Sequence, residues 1–415
     1  MVIALDSTIK KVLLTAVAFT AAATYVGISA TYLLASHFRA KENGHALELA
    51  VRLAPSNAEY HNRLGIHLFD EHQLQAAFQQ FRLATYLNPH NAHYWFDLYN
   101  AGTALNHNDE SSALRQALAA DPKDPNLAWD AANNFLARGD AVETLREFRV
   151  VIEGAPNLAY ASLQRCLHVA DVDTILAQAV PAQPGPHLAF VDLLSTQKDS
   201  VGAAKAWDAL VKLRQPINTD RALEYINYLV AQKDVAQAHK AWIETLQLNS
   251  LSAYLNGRDN LFVNPSFDAD ILNGGFDWQY RRHANVELAL DPSDFHAGRR
   301  SLAISFDGPG ISDAGIFQLI PVSPATDYQF SAYFKSDGID GAGGPRLTLA
   351  DPYTNTNYFE SDDLKNSEVW RQVAGQFKTA TDTQLLVLRL TRVPADSPIR
   401  GKLWLDNFHL AEKQP

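Results

Sequence analysis

At 415 residues the chain exceeds what one ordinary hydrophobic core supports, so two or three folding units are expected. Hydrophobic residues make up 47% and charged residues 20%, a globular composition that argues against extensive disorder. The formal net charge of −11, with no clustered run of Lys and Arg beyond the pairs Arg281-Arg282 and Arg299-Arg300, argues against a nucleic-acid partner. The single cysteine, Cys166, cannot close an intrachain disulfide. It lies in an apolar helical pattern with Leu163 and Leu167, where a buried structural thiol is expected, and cysteine usage leaves the compartment open.

From Val12 to Ala35 the chain carries 24 residues without a formal charge, preceded by Lys10 and Lys11. As a helix this stretch would be roughly 36 Å long, enough to cross a hydrocarbon core of roughly 30 Å. Two readings are open, an uncleaved signal anchor and a cleaved signal peptide with Ala21 and Ala23 as the small residues of its site. The anchor is the expectation, because cleavage there would leave Tyr25-Val26-Gly27-Ile28 and Tyr32-Leu33-Leu34 exposed at a new N-terminus. Lys10 and Lys11 favour a cytoplasmic N-terminus, although His37, Arg39 and Lys41 on the other side reduce the asymmetry. Residues 1–41 are therefore read as a cytoplasmic stub and a single-pass anchor in a bacterial inner membrane. The remainder is expected on the periplasmic or extracytoplasmic side.

Composition changes near residue 256. Seven glycines fall between Ala40 and Leu255 and thirteen between Asn256 and Pro415, and Ala, Leu and Gln give way to Phe, Tyr, Thr, Asp and Gly. The shift predicts a helical region over 42–255 and a β region over 256–415, with Asn256-Gly257-Arg258-Asp259 as the junction. Within the helical region Pro55, Pro89, Pro122 and Pro156 are spaced by 34, 33 and 34 residues. A proline at that interval ends the second helix of a two-helix unit, and no such unit can bury its apolar face alone. In the unit ending at Pro89, Leu64-Gly65 and Leu68 belong to the first helix, and Ala77, Phe81 and Ala84 to the second. The small residues allow close approach while Phe81 fills the space beside them. The pattern resembles tetratricopeptide (TPR) repeats. It decays between Asp171 and Gly185 and recovers in part through Trp207, Leu210, Tyr228 and Trp242.

Beyond Asn260 the alternation predicts strands at 286–290, 301–306, 314–322, 327–335, 345–350, 370–378, 384–392 and 401–410, a two-sheet sandwich or jelly roll. Leu261-Phe262-Val263-Asn264-Pro265-Ser266-Phe267-Asp268 is similar to the opening strand of carbohydrate-binding modules of families 4 and 9. Trp278, Ala297-Gly298-Arg299-Arg300-Ser301-Leu302, Gln318, Tyr328 to Lys335, Trp370 to Val373 and Leu403 to Leu410 continue that resemblance in order. The fold expected is thus multidomain: an N-terminal transmembrane helix, an all-α TPR-like solenoid, then an all-β jelly-roll sandwich.

The second resemblance implies a structural calcium ion held by Asp268 and Asp406, the alternative being that both acids cap turns or bond backbone amides. It also implies a glycan platform of loop aromatics, for which Trp278, Tyr280, Tyr353, Tyr358 and Phe359 are the candidates. Trp370 and Trp404 read as core, and Trp278 occupies a position that can be structural in those modules. The TPR resemblance implies a protein-partner groove, with Glu59, Asn62, Phe96, Asn100, Asp130 and Asn133 on the inner face. The lysine of carboxylate-clamping TPR proteins has no counterpart at Asn62, Phe96 or Asp130, so the groove is left to an apolar or amide-rich peptide or to a helix from a partner.

No HExxH, paired-cysteine, GxSxG or GxxxxGK[ST] arrangement occurs. His61, His67 and His72 do not share a helix face, and Glu360, Asp362 and Asp363 read as a solvated acidic turn. The chain is therefore expected to be a non-enzymatic, membrane-anchored envelope scaffold with a protein partner and a polysaccharide ligand, serving surface polysaccharide (exopolysaccharide) assembly or export. A pure protein–protein adaptor and a divergent glycan-active enzyme are the rival readings.

Overall fold

The computed structural model describes residues 8–39, 43–106, 110–257, 259–395 and 397–413; Lys41 and Arg258, at the expected junctions, lie outside the described residues. The chain divides at Pro181 into two compact units.

In the first unit, α1 (Thr8–Arg39) is the one helix among the described residues long and apolar enough to cross a membrane. Most of its side chains are exposed, but its C-terminal end is built into the helical domain. Ala35 is fully buried and clusters with Ala50, Ala54 and Tyr60, bordered by Phe38. α2 (Gly44–Leu53) leads into three helical hairpins: α3 (Ala58–Asp70) with α4 (Leu74–Leu87), α5 (Ala92–Ala104) with α6 (Glu110–Ala120), and α7 (Pro125–Arg138) with α8 (Ala141–Gly154).

The proline period has a local cause. Pro55, Pro89 and Pro156 each follow the C-cap residue of a helix, namely Ala54, Asn88 and Ala155, where a residue lacking N–H cannot extend the ladder. Two positions after Pro55, Pro89 and Pro122 stand Asn57, Asn91 and Asp124. Their side-chain oxygens accept the amides of Glu59, His93 and Asn126 at 3.0, 3.0 and 2.9 Å, opening α3, α5 and α7. One short element therefore ends a repeat and starts the next.

Inside the first hairpin, Gly65 faces Phe81, and a Cβ built on Gly65 would lie 2.6 Å from two ring carbons. Gly65→Ala is therefore expected to destabilise the helical domain by about 1–2 kcal/mol, overpacking outweighing the gain in helix propensity of about 1 kcal/mol. Urea denaturation followed by far-UV circular dichroism reads the difference, and a more stable variant would contradict this packing.

α9 (Ala159–Cys166) and α10 (Val172–Gln178) are short, which is where the period decays. Cys166 is fully buried and its thiol is pushed up to about 12 by desolvation, so it stays protonated and inert at neutral pH.

The second unit holds two further hairpins, α11 (Pro184–Thr196) with α12 (Ser200–Lys212) and α13 (Thr219–Ala231) with α14 (Val235–Leu248). It also holds the β-sandwich. One sheet has the order β1 (Gln279–Tyr280), β4 (Asp313–Pro321), β9 (Leu385–Arg392), β6 (Pro345–Ala350), β7 (Asn357–Glu360); the other has β2 (Val286–Asp291), β3 (Ser301–Gly308), β10 (Ile399–Glu412), β5 (Asp327–Asp340), β8 (Arg371–Lys378). All pairings are antiparallel, and inward residues such as Leu302, Ile304, Phe330, Leu347, Leu388 and Leu403 fill the space between the sheets.

All eight expected strands are present, and β1 and β7 add to them. The segment 261–268, expected as an opening strand, is irregular. Asn264 and Phe267 take positive φ, and Pro265 has no N–H for a ladder. Buried Gln318 holds this segment instead, its side chain bonding both Val263 N at 3.1 Å and Val263 O at 2.9 Å.

The compact unit runs across the helix-to-strand transition. Phe276 packs edge-on against Trp242 and His239, with centroids 6.3 and 5.7 Å apart. Gly275, at φ +60°, brings the backbone close enough that a Cβ would meet the Trp242 ring at 2.6 Å. On a second loop, the Tyr353 hydroxyl donates to Val230 O at the end of α13 at 2.7 Å.

Candidate binding sites

The aromatic residues expected to form one platform are dispersed. Trp278 is a correction: at 2% exposure it stacks among Phe262, Phe267 and Phe408, with Nε1 donating to Asn264 O at 3.0 Å, so it offers no face to a ligand. Phe359 is turned to the core and packs on Phe330 at 5.0 Å. The half-buried Tyr358 has its hydroxyl between Thr383 Oγ1 at 2.7 Å and the Ala380 amide at 3.1 Å. Tyr353 is committed to α13, with Lys233 over its ring. Tyr280 remains exposed.

Tyr280 lines a cleft of about 640 Å³, within the range typical of ligand sites. The cleft arises from topology. β1 is the edge of one sheet and β2 the edge of the other, and residues 281–285 cross between them, so this side of the sandwich has no covering strand. The inward side chains of β2, Val286, Leu288 and Leu290, are therefore only half-buried and form the floor with Ile271 and Leu302. Arg281, Arg282, His283 and Glu287 form the exposed rim. Arg281 is anchored by its amide to Gly315 O at 2.8 Å and places its guanidinium 5.8 Å from the Phe317 ring. Gly315 is required there, since a Cβ would sit 2.5 Å from Arg281 O.

Asp268 and Asp406 do converge on one feature, the loop between β2 and β3, but what they meet is N–H. Fully buried Asp406 accepts the amides of His296 and Ala297 at 2.6 and 2.8 Å on one oxygen and that of Asn407 at 2.6 Å on the other. Desolvation raises its pKa, against the lowering effect of these bonds. Asp268 accepts Arg299 N at 2.8 Å. Amide dipoles present positive charge to these oxygens, so the donor set does not fit the oxygen shell of a calcium ion. Among the described residues no group of three or more His, Cys, Asp or Glu is arranged to hold a metal.

The loop so held lies on the outer face of the second sheet. His296 stacks on Tyr333 with centroids 3.6 Å apart, and Trp370 meets His296 edge-on at 5.9 Å. Beside them Trp404, expected as core, is buried on the outer face instead. Lys402 and Lys335 lie over its ring, and its Nε1 donates to Asp291 at 2.9 Å, which helps to lower that carboxyl after the larger effect of Ser293. The outward parity of Tyr333 within 327–335 was the available signal for this cluster; its pairing with His296 is tertiary. The acids Glu360 and Asp363 are both clasped by Arg346, at 2.7 and 2.8 Å.

In the helical unit a groove of about 710 Å³ brings together Glu59 and Asn62 with Arg63, His67, His93 and Tyr94. Asn62 is 7% exposed; its Nδ2 donates to Asp97 at 3.0 Å, one repeat along, and its Oδ1 has no partner. Burial raises the Asp97 carboxyl, opposed by the Asn62 bond. Phe96 packs against the neighbouring repeats and sits 5.9 Å from Tyr99. Asn133 receives Arg165, whose guanidinium lies 4.5 Å over Trp129. Asp130 is exposed with a carboxyl raised chiefly by burial, and Asn100 is half-buried. Asp97 is not among the residues expected from the sequence, since its contact with Asn62 lies one repeat away and is tertiary.

Residues 259–396 match the family model of a carbohydrate binding domain. A family 4 carbohydrate-binding module aligns at 15% identity over 37% of this chain and 99% of its own, with a TM-score of 0.28. MamA aligns at 12% identity over 45% of this chain and 91% of its own, with a TM-score of 0.28. PilF of Pseudomonas aeruginosa aligns at 16% identity over 46% of this chain and 92% of its own, with a TM-score of 0.26. No curated protein matches the chain.

Proposed function

We propose that the chain is a non-enzymatic, membrane-anchored envelope scaffold whose sandwich binds glycan and whose TPR-like helices hold a protein partner, in the service of surface polysaccharide assembly or export. The observation that carries this reading is the match of residues 259–396 to a carbohydrate binding domain. The cleft at Tyr280 supports it further, since an exposed ring beside an aliphatic floor suits the C–H faces of a sugar.

The anchor reading is supported by α1, which is long and apolar enough to cross a membrane and whose apolar side chains, from Val12 to Leu34, are exposed. A leader removed after Ala23 would leave a stump whose exposed apolar side chains have no cover in water. The chain would then be single-pass in a bacterial inner membrane, with both domains on the extracytoplasmic side. The groove supports a partner with both polar and apolar side chains, because Glu59, Arg63, His67, His93 and Tyr94 line it beside Leu47 and Ile66.

Isothermal titration of the detergent-solubilised chain with a panel of cell-envelope polysaccharides tests the glycan reading. Saturable binding is expected; binding to none of them would leave the adaptor reading. For the groove, Tyr94→Ala is expected to lower capture of a membrane-derived partner about tenfold, an aromatic surface lining the groove being lost. Undiminished capture would place the partner elsewhere.

A further inference from the structure

We infer that the cleft between β1 and β2 takes an acidic oligosaccharide, a chain bearing uronate carboxylates, and that Arg281 and Arg282 select it. This rests on the carbohydrate-binding reading above and names the substrate class of that site.

The whole chain carries a formal net charge of −11, yet Arg281, Arg282 and His283 follow one another on this rim with Glu287 as the one acid lining the cleft. Several cations elsewhere in the sandwich are matched by acids: Arg300 with Asp270, Arg346 with Glu360 and Asp363, Arg389 with Asp313, Lys335 with Asp294, Lys402 with Asp291; exposed Arg371 and Arg400 are in no ion pair among the described residues, but they do not line the cleft. Among the described residues Arg281 and Arg282 are in no ion pair, and both are exposed. Arg281 is held only through its backbone and its approach to Phe317.

A guanidinium presents a planar fork that matches a carboxylate, and the match gains strength beside a low-dielectric floor. Here that floor is Val286, Leu288, Leu290 and Ile271. An acidic sugar offers both halves of the complement: a carboxylate for the arginines, and a ring whose C–H face lies on Tyr280 and the aliphatic residues. An acidic peptide would satisfy the arginines without using the ring. A neutral glycan would use the ring and leave two unpaired cations at the rim.

The test uses the full chain in detergent, titrated with uronate oligosaccharides (galacturonate, glucuronate and mannuronate–guluronate) and with the methyl esters of the same chains. The esters keep the sugar and remove the charge. At least one free acid is expected to bind, its ester about tenfold or more weakly, with affinity falling as salt rises from about 0.05 to 0.5 M. Arg281→Gln/Arg282→Gln should erase the preference for acid over ester, while Glu287→Gln should tighten acid binding several-fold, a gain that loss of folding cannot mimic. Tyr280→Ala should weaken acid and ester alike. Equal binding of acid and ester would overturn the inference while leaving the glycan reading standing. Binding of poly-aspartate as tight as that of the acids, and indifferent to Tyr280→Ala, would reduce the site to a polyanion patch. No binding of any acid or ester, with neutral envelope glycans binding, would overturn the acidic class. No glycan of any kind would overturn the reading beneath it.

Discussion

Phe276→Ala is expected to lower the stability of the unit from Ala182 onward by about 3–5 kcal/mol, a large share of the 5–15 kcal/mol typical of a domain. Phe276 stands just before β1 yet is 1% exposed, and its ring meets helix α14 at Trp242 and His239 as well as lying at the sandwich edge. The variant leaves a cavity that Gly274 and Gly275 cannot fill, since they have no side chains. Trp242, itself fully buried, would lose cover as well, because the face packed against Phe276 would open. A double-mutant cycle separates the contact from the burial. Trp242→Ala combined with Phe276→Ala should cost less than the two single losses together by on the order of 1 kcal/mol. Urea unfolding followed by tryptophan fluorescence reads each variant. Strict additivity would mean that helices and sandwich share no contact at this point. The same physics predicts that a fragment beginning at Asn256 melts well below one beginning at Ala182, because the first exposes Phe276 and strands Tyr353 without Val230.

How much of this was legible depended on whether a residue's role is local. Pro55, Pro89, Pro122 and Pro156 announce the repeats because a missing N–H ends a helix wherever it stands, and Asn57, Asn91 and Asp124 act on amides two positions away. Strand alternation carries the eight longer strands for the same reason. β1 and β7, with two and four residues, are too short to alternate, and the Asn residues around β7 read as turn. The site was less legible, because exposure is a property of the fold. Trp278 has polar neighbours, Asp277 and Gln279, which suggested a loop in water. In the structure Trp278 fills the core and Asp277 goes in beside it. Tyr353 and Phe359 were likewise placed by tertiary partners, Val230 and Phe330, far away in sequence. Tyr280 kept its expected exposure, but the arginines that follow it gained meaning only once β1 and β2 were seen as the edges of different sheets.

Buried Asp277 gives the sandwich a pH dependence of its own. Its carboxyl is fully buried; one oxygen accepts Leu272 N at 2.7 Å and the other has no partner. Desolvation outweighs the backbone bonds and raises the group from 3.8 to about 7. Below about pH 4 the carboxyl is protonated in both folded and unfolded chains and costs nothing. Between about 4 and 7 the unfolded chain has released the proton and the folded chain still holds it, so stability falls as pH rises. Above about 7 both forms are ionised and the loss is complete, at roughly 4 kcal/mol. Asp277→Asn keeps an oxygen for the Leu272 amide and cannot ionise. The variant should therefore match the parent near pH 4, lack the decline between pH 4 and 7, and exceed the parent at pH 8 by most of that amount. Urea midpoints of the sandwich transition across pH 4 to 8 would show it. Parallel curves for parent and variant would mean that Asp277 is ionised or hydrated within the fold, and the buried, singly bonded carboxyl described here would be wrong.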